Sequence, residues 1–236
     1  MIDIQLNSDT AVKIINIGNE NYPLLLIDNF ANKAQDLITL AGNGEHFNRQ
    51  AEDFYPGIRQ DMPASYGAQI CALHGQLIKS YLGLEQTAKA DTVLSAFSIT
   101  TTPPEQLKPI QMVPHFDSTS NQQFAVIHYL CDESHGGTSF YRHKQTGLER
   151  ITEQKLAQYS QLLKQQAMAE KIHLNSEYIT DETSLFEKIY TVKAKMNRAI
   201  IYPSNALHSG DIQRATTLSA NPKQGRLTIS SFVYFK

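Results

Sequence analysis

The sequence predicts a mainly β domain with flanking helices, on three observations. From about residue 92 onward, short apolar runs separated by turn residues recur. Helical periodicity is confined to the first 91 residues and to an interruption at about 143–185. Hydrophobic content of 41% and charged content of 19% are globular values, and one core with excursions accommodates 236 residues. Residues 1–236 therefore read as a single domain: an N-terminal strand with supporting helices over 1–91, then a β core over 92–236 carrying a helical insertion.

In chain order, YPLLLIDNF (Tyr22 to Phe30) reads as a strand, with Asp28 or Asn29 placed to cap a helix over Ala31 to Leu40. Gly42-Asn43-Gly44 breaks that helix. The polar, aromatic stretch from Phe47 to Met62, with Pro56-Gly57 inside it, has no sustained period and reads as a surface loop long enough to be functional. Pro63 then opens a helix whose apolar residues Ile70, Leu73, Leu77 and Tyr81 recur every three or four positions, and Gly83 stands where a left-handed terminator belongs. Beyond it the expected strands are Val93 to Thr100, Val113 to Asp117, Gln123 to Leu130, Thr138 to Tyr141, Arg198 to Tyr202 and Leu227 to Phe235. A further strand, Phe186 to Lys195, is expected to reach Arg198 through a turn at Asn197-Arg198. Inside the insertion, Leu156, Tyr159, Leu162 and Leu163 mark an amphipathic helix from Thr152 to about Ala169. Gly136-Gly137 reads as a turn that needs φ > 0.

Bulk properties exclude some function classes. A formal net charge of −2 offers no broad attraction to a phosphate backbone, so no nucleic-acid partner is expected. The amino terminus lacks a basic segment followed by an apolar core, and no run approaches the ~18 apolar residues of a membrane span. No membrane association is expected, and a cytoplasmic location is. Cys71 and Cys131 form no metal-type pair, which fits a reducing compartment.

His115-Phe116-Asp117 and the distant His208 carry the chemistry. A two-residue step along a strand returns to the same face, so His115 and Asp117 can share one ion while His208 arrives from another strand. Two histidines and one carboxylate occupy one face of an octahedron and leave the other open, as a non-haem iron(II) enzyme requires. With 8 His and 23 acidic residues, a His-x-acid triplet arises by chance roughly 0.8 times, so the flanking sequence has to carry the case.

Those flanks are FAVIHYLCDESHGGTSFYR (Phe124 to Arg142), NRAIIYPSNALHSGD (Asn197 to Asp211) and the terminal RLTISSFVYF. With HFD before them, they make the region from Val93 to Lys236 resemble the prolyl-4-hydroxylase-like branch of the iron(II)- and 2-oxoglutarate-dependent oxygenases. The resemblance implies a double-stranded β-helix, or jelly roll, with supporting helices on the major sheet. It implies iron(II) held at the catalytic centre by His115, Asp117 and His208, with 2-oxoglutarate as cosubstrate and dioxygen as oxidant. Hydroxylation of a small molecule or of an amino-acid or peptide side chain would follow. Arg226 matches the residue that holds the distal carboxylate of 2-oxoglutarate, where a guanidinium fork can make two charge-assisted bonds. Thr228, two positions on, shares its strand face. Tyr129 matches a tyrosine reaching the same carboxylate, and His128 beside it points the other way.

Two features depart from the family pattern. The interval from His208 to Arg226 is long, so residues 209–225 must bulge, and Arg214 competes for the carboxylate role from within that polar loop. Ser98 stands near where many relatives carry a tyrosine. Substrate contacts are expected from loops at the mouth: Tyr55, Arg59, Arg142, His143 and Arg214, whose basic members would suit a carboxylate-bearing substrate. A homodimer is the expected assembly. The alternative to an oxygenase is a non-catalytic jelly roll that binds a metal or small ligand.

Overall fold

The structure, a computed structural model, describes residues 4–43, 47–49, 54–174 and 176–236. Among them run β1 (Val12–Ile17), β2 (Tyr22–Asp28), α1 (Ala34–Asn43), β3 (Gly57–Asp61), α2 (Ala64–Leu82), β4 (Ala90–Thr100), β5 (Gln123–Tyr129) and β6 (Gly137–His143). There follow α3 (Glu153–Ala169), β7 (Phe186–Lys193), β8 (Arg198–Pro203), β9 (His208–Asp211) and β10 (Leu227–Phe235). The strands form a seven-stranded antiparallel sheet, ordered β1-β2-β8-β5-β10-β4-β3, and a three-stranded sheet, β7-β6-β9. From β5 onward the chain passes back and forth between the two, β5 to β6, β7 to β8, β8 to β9 and β9 to β10. That alternation is the double-stranded β-helix.

Strand alternation sends neighbouring side chains to two separate cores. Val126, Ile201, Ile229 and Ile99 point outward from the large sheet and pack with Leu37, Ile38, Tyr66, Ile70 and Ile78 of α1 and α2. Ala125, Tyr129, Ile200 and Tyr202, one residue away on the same strands, point between the sheets toward Phe140 and Val192. Along β4 and β10 the inner face is small and polar: Ser98 pairs with Thr228, and Ala96 with Ser230. Space is left there, and the cavity described below occupies it.

Several expectations are corrected. Within the expected loop from Phe47 to Met62, Gly57–Asp61 forms β3, an edge strand paired with β4; residues 50–53 of that loop lie outside the described residues. GIRQD hides its strand because an edge strand packs one neighbour and tolerates polar side chains. The first helix begins at Ala34 rather than Ala31, because Asp28 is engaged by Lys195 and Arg198 and Asn29 is left-handed (φ 57°). Asp28 is held at about 2, chiefly by its bond to Arg198. On α2, capped by left-handed Gly83 as expected, the buried row is Tyr66, Ile70, His74 and Ile78. Leu73 and Tyr81 are exposed. Val113 to Asp117 makes only an isolated bridge at His115, since Pro114 has no N–H to continue a ladder. The turn at Asn197 (φ 63°) joins two strands as expected, and they belong to different sheets. β1 and β9 were not anticipated.

The expected helix in the insertion is present as α3, though Tyr159 is its only buried residue. No helix among the described residues is long and apolar enough to cross a membrane.

His128 faces α2, away from the inter-sheet space, as its position beside Tyr129 requires. Asn197 accepts the Ala31 N–H on Oδ1 (2.9 Å) and donates from Nδ2 to the Ala31 carbonyl (2.8 Å), which fixes its amide. His128 Nε2, 3.0 Å from that Oδ1, must therefore carry the proton, and Nδ1 accepts from the Tyr66 hydroxyl at 2.9 Å. Desolvation lowers His128 to about 4. It is a neutral core imidazole.

Candidate metal centre

His115 and His208 are clamped face to face: each backbone N–H donates to the other's carbonyl at 2.8 Å. His208 opens β9, which also pairs it with Phe140 of β6. The N–H groups of Asp117 and Ser118 donate to the Ser204 carbonyl, so the segment turns across the corner between β8 and β9. Backbone bonds alone thus bring three distant side chains together.

Their ligand atoms lie within 4.8 Å of one another. His115 Nε2 stands 3.8 Å from Asp117 Oδ1, and His208 Nε2 stands 3.6 Å from Asp117 Oδ2. Two donors at right angles on an ion, each at roughly 2.1 Å, would be about 3.0 Å apart. At 3.8 and 3.6 Å the face is wider than that, and an ion held there would draw the side chains inward. The tautomer of His208 suits this: Nδ1 lies 2.9 Å from the Ala206 carbonyl, which can only accept, so Nδ1 holds the proton and Nε2 offers its lone pair. His115 sits well below the usual imidazole range, first through desolvation and then through His208 and Arg59. Half of its side-chain surface is accessible, but that surface is cavity wall.

The triad opens into a cavity of about 530 Å³ between the sheets. Arg226, just before β10, lines it while only 5% exposed. Its Nη2 donates to the Gly137 carbonyl at 2.7 Å, and its Nε is buried without a partner. No carboxylate among the described residues pairs with it. A desolvated guanidinium held by one carbonyl, with a donor to spare, is built to receive an anion. Thr228 lines the same space and spans toward the Ser98 carbonyl (3.4 Å).

Tyr129 stands one layer back: its hydroxyl bonds Thr138 Oγ1 at 2.6 Å, and Thr138, not Tyr129, lines the cavity. Burial, partly offset by the Arg226 charge, pushes Tyr129 up to about 12, so its hydroxyl stays protonated. Tyr55 and Arg59 line the cavity as expected of mouth residues. The structure does not bring Arg142, His143 or Arg214 there. Arg142 is committed to Glu149 (2.6 Å) and Glu187 (2.6 Å). His143 is buried under α3 between Thr146 and Gln166. Arg214 is almost fully exposed, 3.8 Å from Glu177 and away from the cavity.

Tyr202, Thr138 and Tyr178 are among the lining residues that were missed. Tyr202 packs edge-on against His208 (4.9 Å between ring centres), and its hydroxyl is buried without a partner. Desolvation and the charge of Asp117 raise its pKa well above the phenol value. Its place on the inner face was available from the alternation of AIIYP. Thr138 was legible as a strand residue but not as a cavity one. Tyr178 arrives from the insertion, its hydroxyl donating to the Thr102 carbonyl at 2.6 Å, and no sequence signal marks it. Gly137, read only as part of a turn, supplies the carbonyl that holds Arg226. At Gly136 (φ 89°) any side chain would collide with the Asp211 carbonyl.

A family model described as "Family of unknown function (DUF6445)" matches residues 8–233. No curated protein matches the chain. Solved structures do match in fold. HygX from Streptomyces hygroscopicus, with nickel and 2-oxoglutarate bound, superposes with a TM-score of 0.53 at 8% identity, covering 91% of this chain and 84% of its own. Its iron-bound structure gives 0.50 at 8%, covering 91% and 83%. The non-heme alpha ketoglutarate dependent epimerase SnoN from nogalamycin biosynthesis gives 0.47 at 11%, covering 89% and 78%. At such identities the likeness with HygX concerns the fold, and it agrees with the jelly roll traced above.

Proposed function

Since the chain belongs to DUF6445, a family of unknown function, its activity has to be argued from the site, and we propose an iron(II)- and 2-oxoglutarate-dependent oxygenase acting on a small molecule or on an amino-acid or peptide side chain. One observation carries the proposal: a two-histidine, one-carboxylate face and a buried guanidinium with a spare donor share one cavity. Bound iron(II), with dioxygen and 2-oxoglutarate, would supply oxidation of a C–H bond.

The chain's own residues divide the remaining work. His115, Asp117 and His208 would hold the ion, with His208 turned to present Nε2 by the Ala206 carbonyl. Arg226 would anchor the distal carboxylate of the keto acid, with Gly137 fixing the guanidinium's direction. Thr228 and Thr138 add hydroxyls to that wall, the second held by Tyr129. Ile127, Ile212 and Phe232 add apolar wall beside these groups, where less water strengthens the polar contacts.

The decisive test is succinate release from 2-oxoglutarate with iron(II) and ascorbate, in the absence of any other substrate. Slow, iron-dependent succinate formation that disappears in His208→Ala supports the proposal. Metal and keto acid that bind without any succinate across a range of pH would instead make the protein a binding jelly roll.

A further inference from the structure

One edge of the large sheet is only half covered. β3 pairs with β4 opposite residues 96–100, and one further bond, from the Met62 N–H to the Ser95 carbonyl at 3.0 Å, ends the match. Pro63 follows with no N–H to offer and α2 begins at Ala64, so β3 cannot run on. The first part of β4, residues 90–94, is paired with β10 on one side, Val93 being the extra residue of a bulge. On the other side it has no strand partner among the described residues, and the Thr92 N–H turns instead to the Asp91 carboxylate at 2.9 Å.

That open edge borders a groove of about 1080 Å³, with α2 as the opposite wall. The helix is pressed onto β4 at Thr92, whose Oγ1 lies 3.3 Å from Cys71 Sγ and whose side chain would collide with any Cβ at Gly67. One step round the helix, Ala64, Ala68 and Ala72 are exposed and line the groove with methyl groups alone. Val93 and Leu94 line both this groove and the cavity of the metal face, so the two are continuous.

Main-chain donors and acceptors along an unpaired strand edge are a pairing surface for another extended chain. A strand laid there continues the line of β3, and its residue opposite Leu94 shares the face that Leu94 turns to the cavity. Its alternate side chains lie beneath α2. A second copy of this chain would bring the layers of its own fold against α2, whereas a single extended segment needs only the groove.

We propose that the groove binds an extended polypeptide segment as an added strand of the large sheet, and that the group oxidised is a side chain of that segment, delivered into the cavity beside Leu94. The second half rests on the oxygenase reading. There, one atom of dioxygen enters a C–H bond of the peptide as hydroxyl, and the other enters succinate as 2-oxoglutarate loses carbon dioxide.

The test uses the full chain and fluorescein-labelled peptides of about seven residues, all threonine except for a central position varied through the common amino acids. Fluorescence anisotropy finds members that bind saturably. Methylating their backbone nitrogens one at a time weakens binding about tenfold at alternate positions and little at those between. Hydrogen exchange at residues 90–94 slows in the complex. Thr92→Pro removes an outward N–H and no ladder donor, Ala68→Tyr fills the groove, and each weakens binding about tenfold or more. Both variants melt within a few degrees of wild type; should Thr92→Pro fail to fold, Ala68→Tyr decides. The proposal is overturned if no peptide binds, if the methylation losses do not alternate, or if both variants bind as wild type does. It is equally overturned if the free protein is a dimer that Ala68→Tyr dissociates, since the groove then belongs to a second copy. With iron(II) and 2-oxoglutarate, the bound peptide gains the mass of one oxygen atom. Succinate release with the peptide bound but unoxidised overturns the assignment of the substrate. Peptide binding of the kind described, in a protein that never forms succinate, faults the oxygenase reading alone.

Discussion

Replacing Arg226 by methionine separates a functional guanidinium from a structural one. Arg226 is buried, bonds one backbone carbonyl, and has no carboxylate partner among the described residues. If it anchors a carboxylate, Arg226→Met removes a fork of two charge-assisted bonds at about 1.5 kcal/mol each. A loss of about 3 kcal/mol corresponds to roughly a hundredfold weaker 2-oxoglutarate binding. The effect on stability runs the other way. The variant gives up the bond to Gly137, about 1 kcal/mol, and is relieved of a desolvated cation, so the melting temperature holds or rises. A structural arginine paired with a buried acid would instead cost about 3–5 kcal/mol on removal, or roughly 6–20 °C for a chain of this size. Calorimetric titration of 2-oxoglutarate into the nickel-loaded protein, with thermal melting of the same samples, reads both quantities. Affinity within threefold of wild type would refute the assignment, whatever the melting temperature does.

Asp117→Asn keeps the shape of the metal face and removes its charge, so retained iron or nickel should fall at least tenfold by elemental analysis after dialysis; undiminished metal would count against the triad. Tyr202→Phe deletes a buried hydroxyl that has no partner, so its melting temperature should equal or exceed that of wild type, and a fall of several degrees would contradict the site as drawn. Acid should destabilise the fold through His128, whose folded value of about 4 lies below its ordinary 6.5. The unfolded chain takes up the proton first, so the stability present above pH 6.5 is lost as pH falls toward 4, by on the order of 3 kcal/mol. Urea melts at pH 7.5 and 4.5 should show a smaller loss in His128→Gln than in wild type, and equal losses would refute it.

How far the fold was legible followed from how much each strand buries. β5, β8 and β10 lie in the middle of the large sheet and are packed on both faces, and their long apolar runs announced them. β3 is an edge strand and β9 four residues of HSGD; each takes its ladder from a neighbour rather than from its own side chains. On α2 the apolar count misled. Tyr66 and His74 took core positions that Leu73 and Tyr81 had been expected to fill, and Tyr66 could do so because its hydroxyl meets His128. A polar residue with a satisfied partner is invisible to a hydrophobicity pattern.

The same blindness governs the site. Four arginines were candidates, Arg59, Arg142, Arg214 and Arg226, and nothing local to them says which charge is already spent. Arg142 lies in FYRH, inside a strand, and looked as available as any; its partner Glu149 is fully buried and also accepts the N–H groups of Asn19 and Glu20, a clamp assembled from three separate parts of the chain. Arg226 was distinguishable because RLTIS begins an inner strand, and alternation forces its neighbour Thr228 toward the space between the sheets. What the sequence could not supply is that no carboxylate among the described residues pairs with Arg226, the observation on which its proposed role as an anion site rests. A titration that found Arg226 protected by some other anion of the chain would remove that distinction, and with it the physical reason for placing the keto acid there.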